Sequence, residues 1–218
     1  VGSEMCIRDR STADALDRID PHAALNELNA ARQDGDWGAR AIYQMVLIYL
    51  NPDGSFSAFD TALGDPAAEE VDEGSLLAAE RLLMEVRGAA RHTSRHVIME
   101  AMTLMARRTE QDVNAALQRL LEYAQEDAHD VGVLLTIANA HALLGQLPKA
   151  RNFLKRIQKM PYQVDEAEQF ERAWLLLAQV LSQEKRACLQ QGAVLLKGSL
   201  LNKNDADDEG LGVDRGGG

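Results

Sequence analysis

Residues Val131–Val164, VGVLLTIANAHALLGQLPKARNFLKRIQKMPYQV, read as two helices and the turn that joins them. Leu134, Ile137, Ala138 and His141 recur at the three- and four-residue spacing of one helical face, which predicts a first helix from about Val131 to Leu144. Gly145 suits the turn, because glycine adopts the left-handed conformation of a helix C-cap at little cost, and Pro148 suits the first turn of the second helix. Phe153, Leu154 and Ile157 form the apolar stripe of that helix, and Met160-Pro161-Tyr162 ends it. Ala138 and Ala150, with Leu147 between them, leave a shallow surface on which two backbones can approach. Ala150 and Leu154 themselves repeat Ala116 and Leu120, 34 residues earlier.

A 34-residue period is that of the tetratricopeptide-type helical hairpin. Such a hairpin cannot bury its apolar face alone, so it stacks on copies of itself. The predicted fold is therefore all-α: a solenoid of tetratricopeptide-type hairpins, with the right-handed superhelix usual for such stacks. Upstream, Val97 to Ala106 and Asp112 to Tyr123 form another pair. Ile42 to Leu50 with Leu76 to Val86 form a hairpin with a stretched loop, preceded by a single helix from about His22 to Arg32. Downstream, Trp174, Leu177, Ala178 and Leu181 repeat the order of Leu134, Ile137, Ala138 and His141 at an offset of 40, the extra six residues lying in the acidic connector around Asp165 to Glu171. The second helix of that unit is predicted over Gln190 to Leu201, with Gly192 and Ser199 at the small-residue positions and a turn between Gln183 and Gln191.

The organisation expected is threefold. Residues 1–10, VGSEMCIRDR, fit no helical pattern and resemble a translated sequencing adapter, so they are set aside. Residues 11–204 make the solenoid piece, carrying a long acidic loop from Asn51 to Gly74 that opens on the turn Asn51-Pro52-Asp53-Gly54. At about 24 residues this loop exceeds an ordinary helix–helix connection; it reads as a mobile insertion, with a partner-binding segment as the alternative. Residues 205–218 form a Gly- and Asp-rich tail with nothing to pack, expected to be disordered, and an exposed apolar edge is expected at each end of the solenoid piece.

Composition narrows the functional classes. The 218 residues are 46% hydrophobic and carry a net charge of −11, which argues against a nucleic-acid partner, since phosphate binding needs clustered Lys and Arg. Lys149, Arg151, Lys155, Arg156 and Lys159 do crowd one helix; a solvated face is the plain reading and contact with an acidic partner the alternative. No apolar run of about 18 residues is present to cross a bilayer. Cys6 and Cys188 are too few and too far apart for a disulfide framework, which fits a reducing compartment.

No catalytic constellation, cofactor or metal site is expected. His92, His96 and Glu100 stand four apart and on a helix would share a face, but they fall at a helix start beside Arg91 and Arg95 and read as solvent-facing. His141 reads as a packed core histidine. Gly210, Gly212 and Gly216 lack the flanking strand and helix of a dinucleotide fingerprint, and Asp205, Asp207, Asp208 and Glu209 lack the ligand pattern of a calcium loop. What a solenoid offers is its groove. The groove-facing candidates are Leu135, Asn139 and Ala142 in one unit and Leu175, Gln179 and Ser182 in the next, a mixture of apolar and amide groups without the cations that would capture a terminal carboxylate.

Beyond the repeat pattern, Ala24-Leu25-Asn26-Glu27-Leu28-Asn29-Ala30-Ala31-Arg32, then Trp37-Gly38, Tyr43-Gln44-Met45 and Leu50-Asn51-Pro52-Asp53 closely resemble the tetratricopeptide repeat protein 21 family. Arg151-Asn152-Phe153-Leu154-Lys155-Arg156-Ile157 and Glu171-Arg172-Ala173-Trp174-Leu175-Leu176-Leu177-Ala178 continue the resemblance, which covers about Asp20 to Asn204. That family is the large repeat subunit of intraflagellar transport complex A. The resemblance implies a piece from the C-terminal part of a longer superhelix, without enzymatic activity. It would serve retrograde ciliary transport and cilium assembly, at the cilium or flagellum and its base on the cytoplasmic side. The implied partners are the other complex A subunits, chiefly propeller-plus-repeat proteins, with no nucleic acid and no membrane insertion. A generic cytosolic repeat adaptor that binds peptide segments is the alternative.

Overall fold

The computed structural model describes residues 21–51 and 71–208, with side chains described as far as residue 190. Among the described residues all regular structure is helical: α1 Pro21–Ala31, α2 Gly38–Leu50, α3 Glu73–Glu85, α4 Ser94–Ala106, α5 Glu110–Glu126, α6 Val131–Leu143, α7 Leu147–Gln158 and α8 Ala167–Asp208. Single 3-10 turns, Gly88–His92 and Val164–Glu166, lead into α4 and α8.

Local chemistry sets the helix starts. Asp72, Thr93, Thr109 and Asp130 each turn a side-chain oxygen onto a backbone N–H of the first turn, capping α3, α4, α5 and α6. The helix α7 has no side-chain cap and carries Pro148 in its first turn, where a missing N–H is no loss. Gly145 closes the α6–α7 turn at a φ of 68°, and its N–H reaches the Ala142 carbonyl at 2.9 Å. Between α4 and α5 the same left-handed role falls to Arg108, at a φ of 53°. Gly38 serves another need: a Cβ there would stand 2.6 Å from the Arg32 carbonyl oxygen, so α2 can begin this close to the preceding turn only with glycine.

Packing follows the predicted hairpins. The α2–α3, α4–α5 and α6–α7 pairs fold back on themselves, each second helix packs against the first helix of the next pair, and α2, α4, α6 and α8 touch in succession. Three apolar cores result, one per step. Ile42, Val46, Leu50, Leu83 and Met99 centre the first, with Leu25 and Leu28 of α1 at its edge. The second joins Met105, Val113, Ala116, Leu120 and Ile137, and the third joins Leu134, Ala138, Leu154, Ile157, Phe170 and Leu176. Ala116, Leu120 and Ala150 are fully enclosed and Leu154 nearly so, so the 34-residue spacing marks equivalent seams in α5 and α7. Ion pairs between neighbouring helices run along the outside: Arg107 with Glu80 at 2.5 Å, Arg119 with Glu100 at 3.1 Å and Arg151 with Glu184 at 2.7 Å. Such half-exposed pairs contribute about 0.2–1 kcal/mol each, so the cores dominate.

One predicted boundary is overturned. The turn placed between Gln183 and Gln191, with a separate helix over Gln190 to Leu201, does not occur; α8 runs unbroken from Ala167 to Asp208. Every residue from Gln183 to Gln191 is tolerated within a helix, none is Gly or Pro, and Gly192 and Gly198 beyond them cost only about 1 kcal/mol each. The helix therefore also enters the tail region expected to be unstructured from Asp205. Most of the long loop, residues 52–70, lies outside the described residues, as do residues 1–20 and 209–218 with Cys6, Gly210, Gly212 and Gly216. Cys188 is exposed with its thiol unbridged.

Ala116→Leu and Ala150→Leu should each lower stability by about 1–3 kcal/mol through overpacking. Ala178→Leu, at an exposed position of α8, should change it by no more than about 0.5 kcal/mol. Urea denaturation of the three variants measures the contrast.

Candidate protein-binding surface

The surface a solenoid can offer is whatever stacking leaves uncovered. In α6 ten of thirteen residues are buried. The three that remain, Gly132, Asn139 and Leu143, are half-buried and lie along one line of the helix at spacings of seven and four. Shifting this line by the 40-residue offset gives Arg172, Gln179 and Gln183 of α8, all half-buried as well. These two lines form the strip that successive first helices present to solvent. Its chemistry is mostly amide and apolar, with Arg172 held to Glu168 at 2.5 Å.

Of the groove candidates, Asn139 and Gln179 lie on this strip, and the Oε1 of Gln179 is enclosed without a hydrogen-bond partner among the described residues. Leu135 and Ala142 do not. They are 7% and 4% exposed and belong to the third core, covered by α7 and α8. Their counterparts on α8, Leu175 and Ser182, are exposed, Leu175 at 59%. The physical reason is that a first helix has a neighbour on each side. The positions occupied by Leu135 and Ala142 face the following unit, and only on α8, where no described residue covers them, do they reach solvent. The same holds for the other half of that face: Leu134, Ala138 and His141 are buried, whereas Trp174, Ala178 and Leu181 are exposed. Trp174 is steadied by Tyr162, whose ring stacks on it at 6.1 Å, and by Phe170 at 6.2 Å.

Sequence reasoning missed Gly132, Leu143, Arg172 and Gln183. The signal was available: a helix apolar on nearly every side is covered on both sides, and its few small or polar interruptions mark the open line.

The histidines divide. His141 is a core residue, 5% exposed, stacked on Phe153 at 5.6 Å with Nδ1 3.1 Å from the Gln146 side-chain oxygen. His92 is exposed and sits in the 3-10 turn ahead of α4, so it shares no helical face with His96 and Glu100. His96 was expected to face solvent and is instead 2% exposed, on one line with Met99 and Thr103 and against the Tyr43 ring at 6.0 Å. Glu100 approaches its Nε2 to 3.5 Å, too far for a good hydrogen bond, and turns its other oxygen to Arg119 at 3.1 Å. Burial pushes the basicity of His96 and of His141 below the ordinary histidine range, with the Glu100 carboxylate and the Gln146 amide opposing in part. Beside Glu100 a shallow cleft of about 160 Å³ is lined by Glu80, Leu83, Met84, Arg91 and Arg119, of which Glu80 and Arg119 are already in ion pairs. Among the described residues no three His, Cys, Asp or Glu side chains are placed to hold a metal ion, and no helix is long and apolar enough to cross a membrane.

A stacked-hairpin surface identifies an architecture, and comparison with known proteins identifies the lineage. Residues 78–205 match the model of the "Tetratricopeptide repeat protein 21 C-terminal ARM domain", and residues 16–50 match that of the "TT21 fifth ARM repeats domain". The chain belongs to the tetratricopeptide repeat protein 21 family. It is 38% identical to tetratricopeptide repeat protein 21B of Mus musculus over 175 residues and to that of Homo sapiens over 177, in both cases 77% of this chain. The tetratricopeptide repeat protein 21 homolog of Caenorhabditis elegans is 26% identical over 151 residues, 66% of this chain and 11% of that protein. The chain spans about 13% of the length of the mouse and human relatives. The two family models part between residues 50 and 78, yet α2 and α3 on either side of that gap share one core.

Leu135→Ala should destabilise the chain by about 2–5 kcal/mol as a buried truncation, and Leu175→Ala by about 0.5 kcal/mol or less, measured by thermal and urea unfolding. A pH series tests the histidines. With pKa values below the ordinary 6.5 in the folded state, His96 and His141 leave the unfolded chain holding more protons, so stability should fall as pH drops through and below about 6.5. Glu166, raised by burial and by Asp130, Asp127 and Asp165, works in the opposite direction. Comparing urea midpoints at about pH 7.5 and pH 5.5 should show a smaller decline in H96L than in the parent chain.

Proposed function

We propose that this chain is a non-enzymatic scaffold segment of a subunit of intraflagellar transport complex A. In this reading it acts in retrograde ciliary transport and cilium assembly through protein–protein binding, at the cilium or flagellum and its base on the cytoplasmic side. The observation that carries the reading is the match of residues 78–205 to a domain model specific to the tetratricopeptide repeat protein 21 family. The geometry supports it. Successive hairpins spread their uncovered residues along a strip and do not converge them on a point, which suits broad contact with folded partners. The buried titratable groups are occupied structurally: His141 with Phe153 and Gln146, His96 among α4 and α2 side chains. The partners in this reading are the other complex A subunits.

Tagged chain expressed in ciliated cells and captured on resin should enrich complex A subunits over a tag-only control. Recovery of chaperones or unrelated proteins without those subunits contradicts the reading.

A further inference from the structure

Charge is distributed very unevenly along this chain. From Val131 to Val164, the whole α6–α7 hairpin, there are five basic residues and not one Asp or Glu. With 23 basic and 34 acidic residues in the complete sequence, that leaves 18 basic against 34 acidic elsewhere, a net of −16 outside the hairpin. All five cations fall on α7 or its C-cap.

The fold sorts these cations by task. Arg151 pairs with Glu184 of α8, and Arg156 donates a hydrogen bond to the Ala128 carbonyl, so both tie α7 to its neighbours. Lys149, Lys155 and Lys159 are exposed, and among the described residues their ammonium groups make no ion pair or hydrogen bond. At 100° per residue Lys155 and Lys159 fall, with Asn152, on the side of α7 roughly opposite the enclosed Ala150, Leu154 and Ile157, and Lys149 falls on the flank beside them. Their axial span is about 15 Å, the reach of about five residues of extended peptide.

We propose that this stripe on α7 is a docking site for an Asp- and Glu-rich segment of a partner protein. The occupant follows from three observations. The stripe is a positive island on an acidic molecule, so an anionic ligand is drawn to it and away from the rest of the surface. Beyond the C-terminal end of α7 lies a negative cluster of Asp127, Asp130, Asp165 and Glu166, where burial first, and then the charges of Asp130, Asp127 and Asp165, raise the Glu166 pKa. A long polyanion or a flat anionic membrane laid on the stripe would meet that negative cluster, whereas a short acidic segment fits beside it. Phe153 and Leu147, the large apolar residues of α7 nearest the stripe, are packed against the cores, leaving no apolar wedge for insertion among lipid tails. This goes beyond the assembly reading: it rests on the charge pattern of the chain and holds or fails independently of complex A.

The test uses the full chain and a fluorescein-labelled octaglutamate peptide, read by anisotropy in low and near-physiological salt. Binding should weaken as salt rises. Replacing all three lysines in K149A/K155A/K159A should weaken it about tenfold or more, three charge contacts being lost at once. Alanine suits exposed helix positions, so the variant should keep its helical circular dichroism and its unfolding midpoint, which separates lost binding from lost fold. K149R/K155R/K159R should bind as the parent does, and K185A/R186A, removing cations from α8, should leave binding within about twofold. The proposal is overturned if the peptide does not bind at low salt. It is equally overturned if the triple alanine variant binds like the parent, if the α8 variant loses as much, or if phosphatidylserine vesicles bind while the peptide does not.

Discussion

Burial of α6 on both sides is the constraint on which the rest of the molecule depends. Leu134, Ala138 and Ala142 of this one helix lie in the core shared with α7 and α8, while Val133, Ile137 and Ala140 lie in the core shared with α4 and α5. A helix in that position has almost no residues left for solvent, so its sequence is apolar nearly all round and its small residues set how closely its neighbours approach. The alanine and leucine seams of α5 and α7 are the complementary halves of the same arrangement. Because each core is completed by the first helix of the next unit, no hairpin here is a finished structure by itself.

That mode of assembly also decides what the surface can do. Through α7 stacking consumes most of the large apolar positions, leaving a strip of mostly amide and small residues on one side and the largely polar backs of the second helices on the other, whereas α8 leaves Trp174, Leu175 and Leu181 exposed. In the proposed scaffold role, recognition rests on extended complementarity and on local charge. The α3, α5 and α8 surfaces carry both signs, and the back of α7 carries one. On such a frame exposed residues can change without disturbing any core.

How much of this was legible in the sequence depends on whether a residue's burial is set by its own helix or by the next one. The spacing of Ala116, Leu120, Ala150 and Leu154, the Gly145 turn and Pro148 are local signals, and the hairpins they predict are present. Leu135 and Ala142 were assigned to a groove because one helical face was read at a time, whereas a stacked helix is covered twice. Trp174, Ala178 and Leu181 match their counterparts on α6 in pattern and differ in exposure, a difference that no pattern within α8 encodes. His96 looked solvated beside Arg91 and Arg95, but its spacing to Met99 and Thr103 places it on the inward line once Thr93 caps the helix. The turn predicted after Gln183 had no breaker residue behind it, and the backbone continues as helix.

Native-state hydrogen exchange of the isolated chain tests the central claim most directly. If α6 is the helix that both flanking cores hold, its amides should exchange most slowly of all, and should open only together with those of α4 and α7. Exchange in α6 as fast as in α1, or protection of the α2–α3 hairpin that persists while α6 is open and exceeds it, would contradict the account.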